Sequence, residues 1–210
     1  MKTLLLILLF ISFLSQAQMT DEVKAMQSNW AQVNYKVADD DKEDAFEKLA
    51  KTATQYVVNN PKNVNALVWE GIIYSTYAGV AGTFSAGKLA KHAKKSFEQA
   101  IKIDGNVLNG SAYTSLGVLY FKVPGWPLSF GSDKKALKNL KKGLELNPDG
   151  IDSNYFYADY LVEDDDYKQA KEYLLKAQKA APRPTRPVAD EGRQGEIKQL
   201  LKKVNEELAD

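Results

Sequence analysis

The sequence predicts an all-α protein built from antiparallel helix hairpins. Three observations carry that prediction. Apolar residues recur with the 3.6-residue period of a helix, no segment sustains strand alternation, and small residues return at a spacing of 34.

The first 17 residues stand apart from this pattern. Lys2 is followed by an apolar run from Leu4 to Leu14, and Ser15-Gln16-Ala17 gives a small-x-small cleavage site. These are the parts of a secretory signal, and the run is shorter than a membrane span needs. The expectation is an exported protein, periplasmic or secreted and soluble, with no integral membrane segment after cleavage. The chain has no cysteine, which excludes disulfides, cysteine–zinc sites and thiol catalysis, and leaves no thiol for a lipid anchor. The formal net charge of +1 includes Lys2, so the mature chain is close to neutral. A nucleic-acid binder would need a basic surplus, and nucleic acid is not an expected partner.

The helices follow in order. Val23, Met26, Trp30, Val33 and Val37 form one apolar stripe, with Thr20 and Asp21 placed to cap it. Ala45, Phe46, Leu49, Ala53, Tyr56 and Val57 form a second, closed by Asn59-Asn60-Pro61. Further helices are expected near 64–78, 88–103, 109–122, 133–146, 152–162, 167–180 and 193–208.

The later helices repeat. "ALKNLKKGLELNP" (136–148) and "AKEYLLKAQKAAP" (170–182) align without gaps, and "AKKSFEQAIKIDG" (93–105) fits the same frame. Their partner helices put Gly71, Gly117 and Ala158 in register. Two helices of a hairpin approach closely where one presents a small side chain and the other fills the space beside it. This pattern resembles the tetratricopeptide repeat. Leu67 and Tyr113 replace the family's usual Trp, and Glu70 stands where Leu is usual. The resemblance implies a right-handed superhelix: a degenerate hairpin over 18–61, three repeats over 62–182, and a linker with a capping helix over 183–210. Residues Ile197, Leu200, Leu201, Val204 and Leu208 would let that last helix cover the apolar flank of the array.

The hairpin tips are the unusual part. Ala158 precedes Ala170 by 12 positions, whereas Gly117 precedes Ala136 by 19 and Gly71 precedes Ala93 by 22. Two adjacent repeats therefore carry insertions at one place, expected as glycine-rich apolar loops at 78–87 and 123–131. Acidic turns at 39–44 and 163–166 flank them and suit helix N-termini. Phe84, Trp126, Leu128 and Phe130 are the candidate binding residues of the two loops. They either plug the array or wall a pocket for a small apolar or amphipathic ligand or a partner's side chain. The long tip, with export, also resembles the T-component proteins of tripartite TRAP-type uptake systems. That likeness implies a periplasmic solute-binding protein as partner; many members carry an anchor cysteine that this chain lacks.

No catalytic constellation stands out. His92 is the single histidine, which excludes paired-histidine metal sites, and neither a dinucleotide motif nor a phosphate-binding loop is present. "EDDD" (163–166) lacks the alternating spacing and glycine of a calcium loop. No enzyme activity, cofactor or metal is expected. The working surface of the family is the concave side. By register it would here present Val68, Ile72, Thr114, Val118, Phe121, Tyr155 and Asp159 as binding residues, with Asn65, Ser75, Thr76, Ser111 and Asp152 beside them. Such a groove is apolar and hydroxylic at one end and acidic at the other. It lacks the Lys and Arg with which family members grip a peptide carboxylate, so a neutral or basic partner is expected. The predicted function is an exported scaffold or adaptor for another protein or peptide in a transport or envelope assembly. The alternative is a small-ligand binder with its pocket under the two tips.

Overall fold

A computed structural model of the protein describes residues 19–209. The expected secretory signal, Met1 to Ala17, lies outside them. Among the described residues the helices are α1 (Asp21–Lys36), α2 (Asp39–Asn59), α3 (Val64–Val80), α4 (Thr83–Asp104), α5 (Val107–Lys122), α6 (Asp133–Leu146), α7 (Ile151–Glu163), α8 (Tyr167–Gln178) and α9 (Pro187–Glu207). No strand forms among them; one isolated bridge pairs Gly125 with Gly131.

The predicted hairpins are present, and close approach explains their small residues. A Cβ placed on Gly71 would lie 2.5 Å from Phe97 Cε1, and one on Gly117 would lie 2.7 Å from Leu140 Cγ. Ala93, Ala136 and Ala170 are fully buried, as are Phe97, Leu140 and Leu174 one turn further on. Caps follow the acidic and hydroxyl residues: the side chains of Thr20, Ser132 and Asp166 each accept from a first-turn amide of α1, α6 and α8. Asp39, Asp40 and Asp41 sit in the first turn of α2, where the helix dipole favours carboxylates.

Three boundaries differ from expectation. The 78–87 insertion is not a loop. It lengthens both helices, leaving only Ala81 and Gly82 between α3 and α4. A Cβ at Gly79, Gly82 or Gly87 would meet nothing within 4 Å. Gly79 and Gly87, inside α3 and α4, weaken helix propensity by about 1 kcal/mol each, less than continuous backbone bonding and packing return. The segment after Pro182 is shorter than expected, because Pro187 starts α9 from the first helical position, where its missing N–H costs nothing. Finally, α5 opens with a left-handed turn: Leu108, Asn109 and Gly110 have φ of 50°, 52° and 74°.

Contacts run α1–α3–α5–α7–α9 and return from α9 to α1. The five inner helices thus form a closed ring of contacts, with α2, α4, α6 and α8 packed outside it. Helix α9 does more than shield the array flank. Ile197, Leu201 and Val204 join the core of the later hairpins, while Ala189, near its start, joins the core around Trp30 and Trp69. Lys36 Nζ bonds Glu191 Oε2 at 2.8 Å, and Tyr35 packs where a Cβ on Gly192 would be.

Candidate functional site: a closed groove and an exposed tip

The ring surrounds a cavity of about 270 Å³ that is partly open to solvent. Its floor is apolar, from Trp30, Trp69, Ile72, Leu108, Val118 and Phe156. Around these stand Gln27, Ser75, Thr76, Asn109, Ser111, Thr114, Ser115, Asn147 and Ser153. Asp152 and three arginines, Arg183, Arg186 and Arg193, complete the lining. Several hydroxyls are already committed. Ser111 Oγ donates to the Leu108 carbonyl at 2.7 Å, and Thr76 Oγ1 accepts from Trp30 Nε1 at 2.9 Å while donating to Ile72 O.

The arginines overturn the expected charge of the groove. Repeat phase fixes only the first helices of the repeats, and these cations arrive on the linker and on α9. Asp152 Oδ2 accepts from Arg183 Nη1 at 2.5 Å, and Asp152 Oδ1 accepts from Arg193 Nε at 3.0 Å. Burial opposes the Asp152 charge, but the three guanidinium groups outweigh it and hold the carboxyl well below its usual range. Arg183 also binds Asp190 through Nε, at 2.6 Å. Arg193 pairs with Glu196 and lies against the rings of Tyr155 and Phe156, 4.4 and 4.3 Å from their centroids. Burial pushes the Tyr155 phenol up to about 12. The acidic end of the groove is therefore neutralised, and a preference for basic partners does not follow from it.

The groove residues expected from the sequence divide. Ile72, Thr114 and Val118 line the cavity, as do Ser75, Thr76, Ser111 and Asp152. Val68 is fully buried in the core. Phe121 packs edge-on against Tyr160 at 5.6 Å, with Lys122 Nζ above its ring. Asp159 pairs with Lys122 Nζ at 3.2 Å.

The tip residues divide too. Phe84 stands on the first turn of α4, fully exposed. Trp126 and Leu128 are 89% and 83% exposed. These three neither plug the array nor wall the cavity, which lies inside the ring. Phe130 alone folds inward, its ring edge-on to Tyr120 at 5.9 Å and under Lys94 Nζ at 5.6 Å. The 123–132 tip is nevertheless fixed. Leu128 and Ser129 amides donate to Gly125 O, Gly131 to Pro124 O, and Ser132 to Tyr120 O at 2.8 Å. A Cβ on Gly131 would lie 1.9 Å from Val123 O, so only glycine fits there. The Trp126–Pro127 peptide is cis.

A buried polar cluster tightens the first hairpins. The Glu70 carboxylate, 3% exposed, accepts from Ser96 Oγ at 2.7 Å and Thr54 Oγ1 at 3.1 Å. His92 Nε2 lies 3.1 Å from Glu70 Oε1 and its ring stacks on Tyr74 at 3.8 Å. The unusual Glu at this repeat position thus joins α2, α3 and α4, and the lone histidine is its structural partner.

Residues 151–184 match the tetratricopeptide repeat family model. Among curated proteins, none matches the chain in sequence. A crystal structure of MamA is similar over 83% of this chain and 96% of that one, at 20% identity and a TM-score of 0.47. A second crystal structure of MamA protein is similar over 90% and 93%, at 17% identity and a TM-score of 0.46. Residues 151–184 are thus matched as one tetratricopeptide repeat, and the α3–α4 and α5–α6 hairpins are built to the same helix-pair plan.

Proposed function

We propose that the protein is an exported scaffold that docks a partner protein on the 123–132 tip. The observation that carries this reading is the exposure of Trp126 and Leu128 on a tip held by backbone hydrogen bonds. Large side chains held rigidly in water lose little entropy on binding and make the anchors of protein interfaces. A tetratricopeptide fold supports such a scaffold role. Lys94 and Lys135 flank the base of the tip, over Phe130 and Tyr120. The partner is accordingly a protein with an apolar socket and an acidic edge, and association weakens as salt rises. The leader-like residues Met1 to Ala17 support export, with the partner in an envelope or transport assembly, such as a periplasmic solute-binding protein.

The test is affinity capture with the native protein and with a Trp126→Ala/Leu128→Ala pair. A partner retained by the native chain and lost with the pair supports docking at the tip. A capture profile unchanged by the pair overturns it, and binding of anionic vesicles in place of protein would assign the tip to a membrane surface instead.

A further inference from the structure

Two donors of cavity-lining residues lack any acceptor among the described residues; a third, Arg183 Nη2, makes no hydrogen bond but is ion-paired with Asp190 Oδ1 at 2.6 Å. Trp69 is 2% exposed, and its Nε1–H has no hydrogen-bond partner; the Nε–H of Arg186 has none either. Both residues line the cavity, and the Arg186 guanidinium lies over the Trp69 ring, 5.3 Å from its centroid. A buried donor without an acceptor costs about 1–3 kcal/mol, and more when the group is charged.

The three arginines are not equivalent. Arg183 has Asp152 and Asp190, and Arg193 has Asp152 and Glu196. Arg186 reaches only Asp152 Oδ2, at 3.7 Å, an oxygen already bonded to Arg183. Burial opposes the charge on all three. For Arg183 the carboxylates outweigh it, and for Arg193 Tyr35 with Asp152 and Glu196 does; for Arg186 the carboxylates do not, and its pKa falls below the ordinary arginine value. A guanidinium does not give up its proton in a protein, so Arg186 remains a half-buried cation with less than one counter-charge.

We propose that the ring cavity is a binding site for a small molecule with one anionic head and a flat apolar body, the head received by Arg186 and the body resting on the Trp69 side of the floor. The head is a carboxylate or a phosphate; either supplies the negative charge that Asp152 shares out among three partners. The volume, about 270 Å³, lies just below the ligand-pocket range of ~300–1,000 Å³ and suits a small metabolite-sized guest. Asn109 and Leu108, on the left-handed turn, add wall from a backbone conformation that side chains rarely adopt, a kind of strain found at ligand sites.

The site is independent of the tip, and its test uses no tip residue. Titration calorimetry of the purified protein compares phenylacetate, phenyl phosphate and the neutral phenylacetamide. One anion or both bind at least about tenfold more tightly than the amide, and which anion wins names the head. In Arg186→Gln that preference disappears while thermal unfolding remains cooperative, and Arg186→Lys recovers part of it. Equal binding of acid and amide by the native protein, or no binding of either anion, overturns the proposal whether or not the variants fold.

Discussion

Arg193 Nε donates to Asp152 Oδ1 at 3.0 Å, and this bond ties the last helix to the wall of the groove. Because Asp152 also holds Arg183, one carboxylate keeps both the linker and α9 across the inner helices. Asp152→Ala would leave Arg186 without a carboxylate and take one of two from Arg183 and Arg193, destabilising the protein by about 3 kcal/mol. The sign of the pH effect follows from the lowered Asp152 pKa. The contribution is present in full above the unfolded aspartate value of ~3.9 and is lost as pH falls toward the folded value. The protection of α9 amides relative to their intrinsic exchange rates therefore falls below about pH 4 in the native protein, and at neutral pH in the variant.

Glu70 gives a second pH-dependent term. Burial disfavours its charge, but hydrogen bonds from His92, Ser96 and Thr54 outweigh this and lower its pKa. Glu70→Gln should cost about 1–2 kcal/mol at pH 7 by urea denaturation. A lowered folded pKa adds stability above the unfolded value of ~4.3. The gap between native and variant should accordingly close as pH falls below about 4.

The altered course of the 78–87 segment is open to a paired test. Gly87 lies inside α4 with nothing near a Cβ, so Gly87→Ala should stabilise by about 0.5–1 kcal/mol. Gly71 faces the Phe97 ring, and Gly71→Ala should destabilise by about 1–3 kcal/mol through overpacking. Thermal melts of the two variants should move in opposite directions. A Gly87→Ala variant that loses stability would return that segment to a loop.

Trp126→Ala should leave the fold alone. The side chain is 89% exposed, and removing such a group changes stability by no more than about 0.5 kcal/mol. Lost partner binding with an unchanged melting curve separates recognition from folding.

The hairpin plan was legible because close helix packing leaves a phase of small residues, and Gly71, Gly117 and Ala158 keep it. The 123–131 insertion was legible from two prolines and two glycines that no helix accommodates. The 78–87 insertion reads as a loop in the sequence because Gly79 and Gly87 sit on exposed helical turns, where no local clash distinguishes a helix from a loop. The break in α5 had a signal, the Asn109-Gly110 pair, whose residues favour positive φ. Pro187 likewise marked the start of α9. The arginines of the groove left no such trace. Repeat phase says nothing of a segment beyond the repeats, and their role comes only from the return of α9 to α1.

Site-specific photo-crosslinking in intact cells tests the central claim most directly. A photo-reactive phenylalanine analogue replaces Leu128 on the tip, with the same analogue at exposed Lys202 on α9 as the control. Docking at the tip predicts one discrete protein adduct from position 128, absent from position 202 and abolished by Trp126→Ala. No adduct at 128, or one that survives Trp126→Ala, would contradict it.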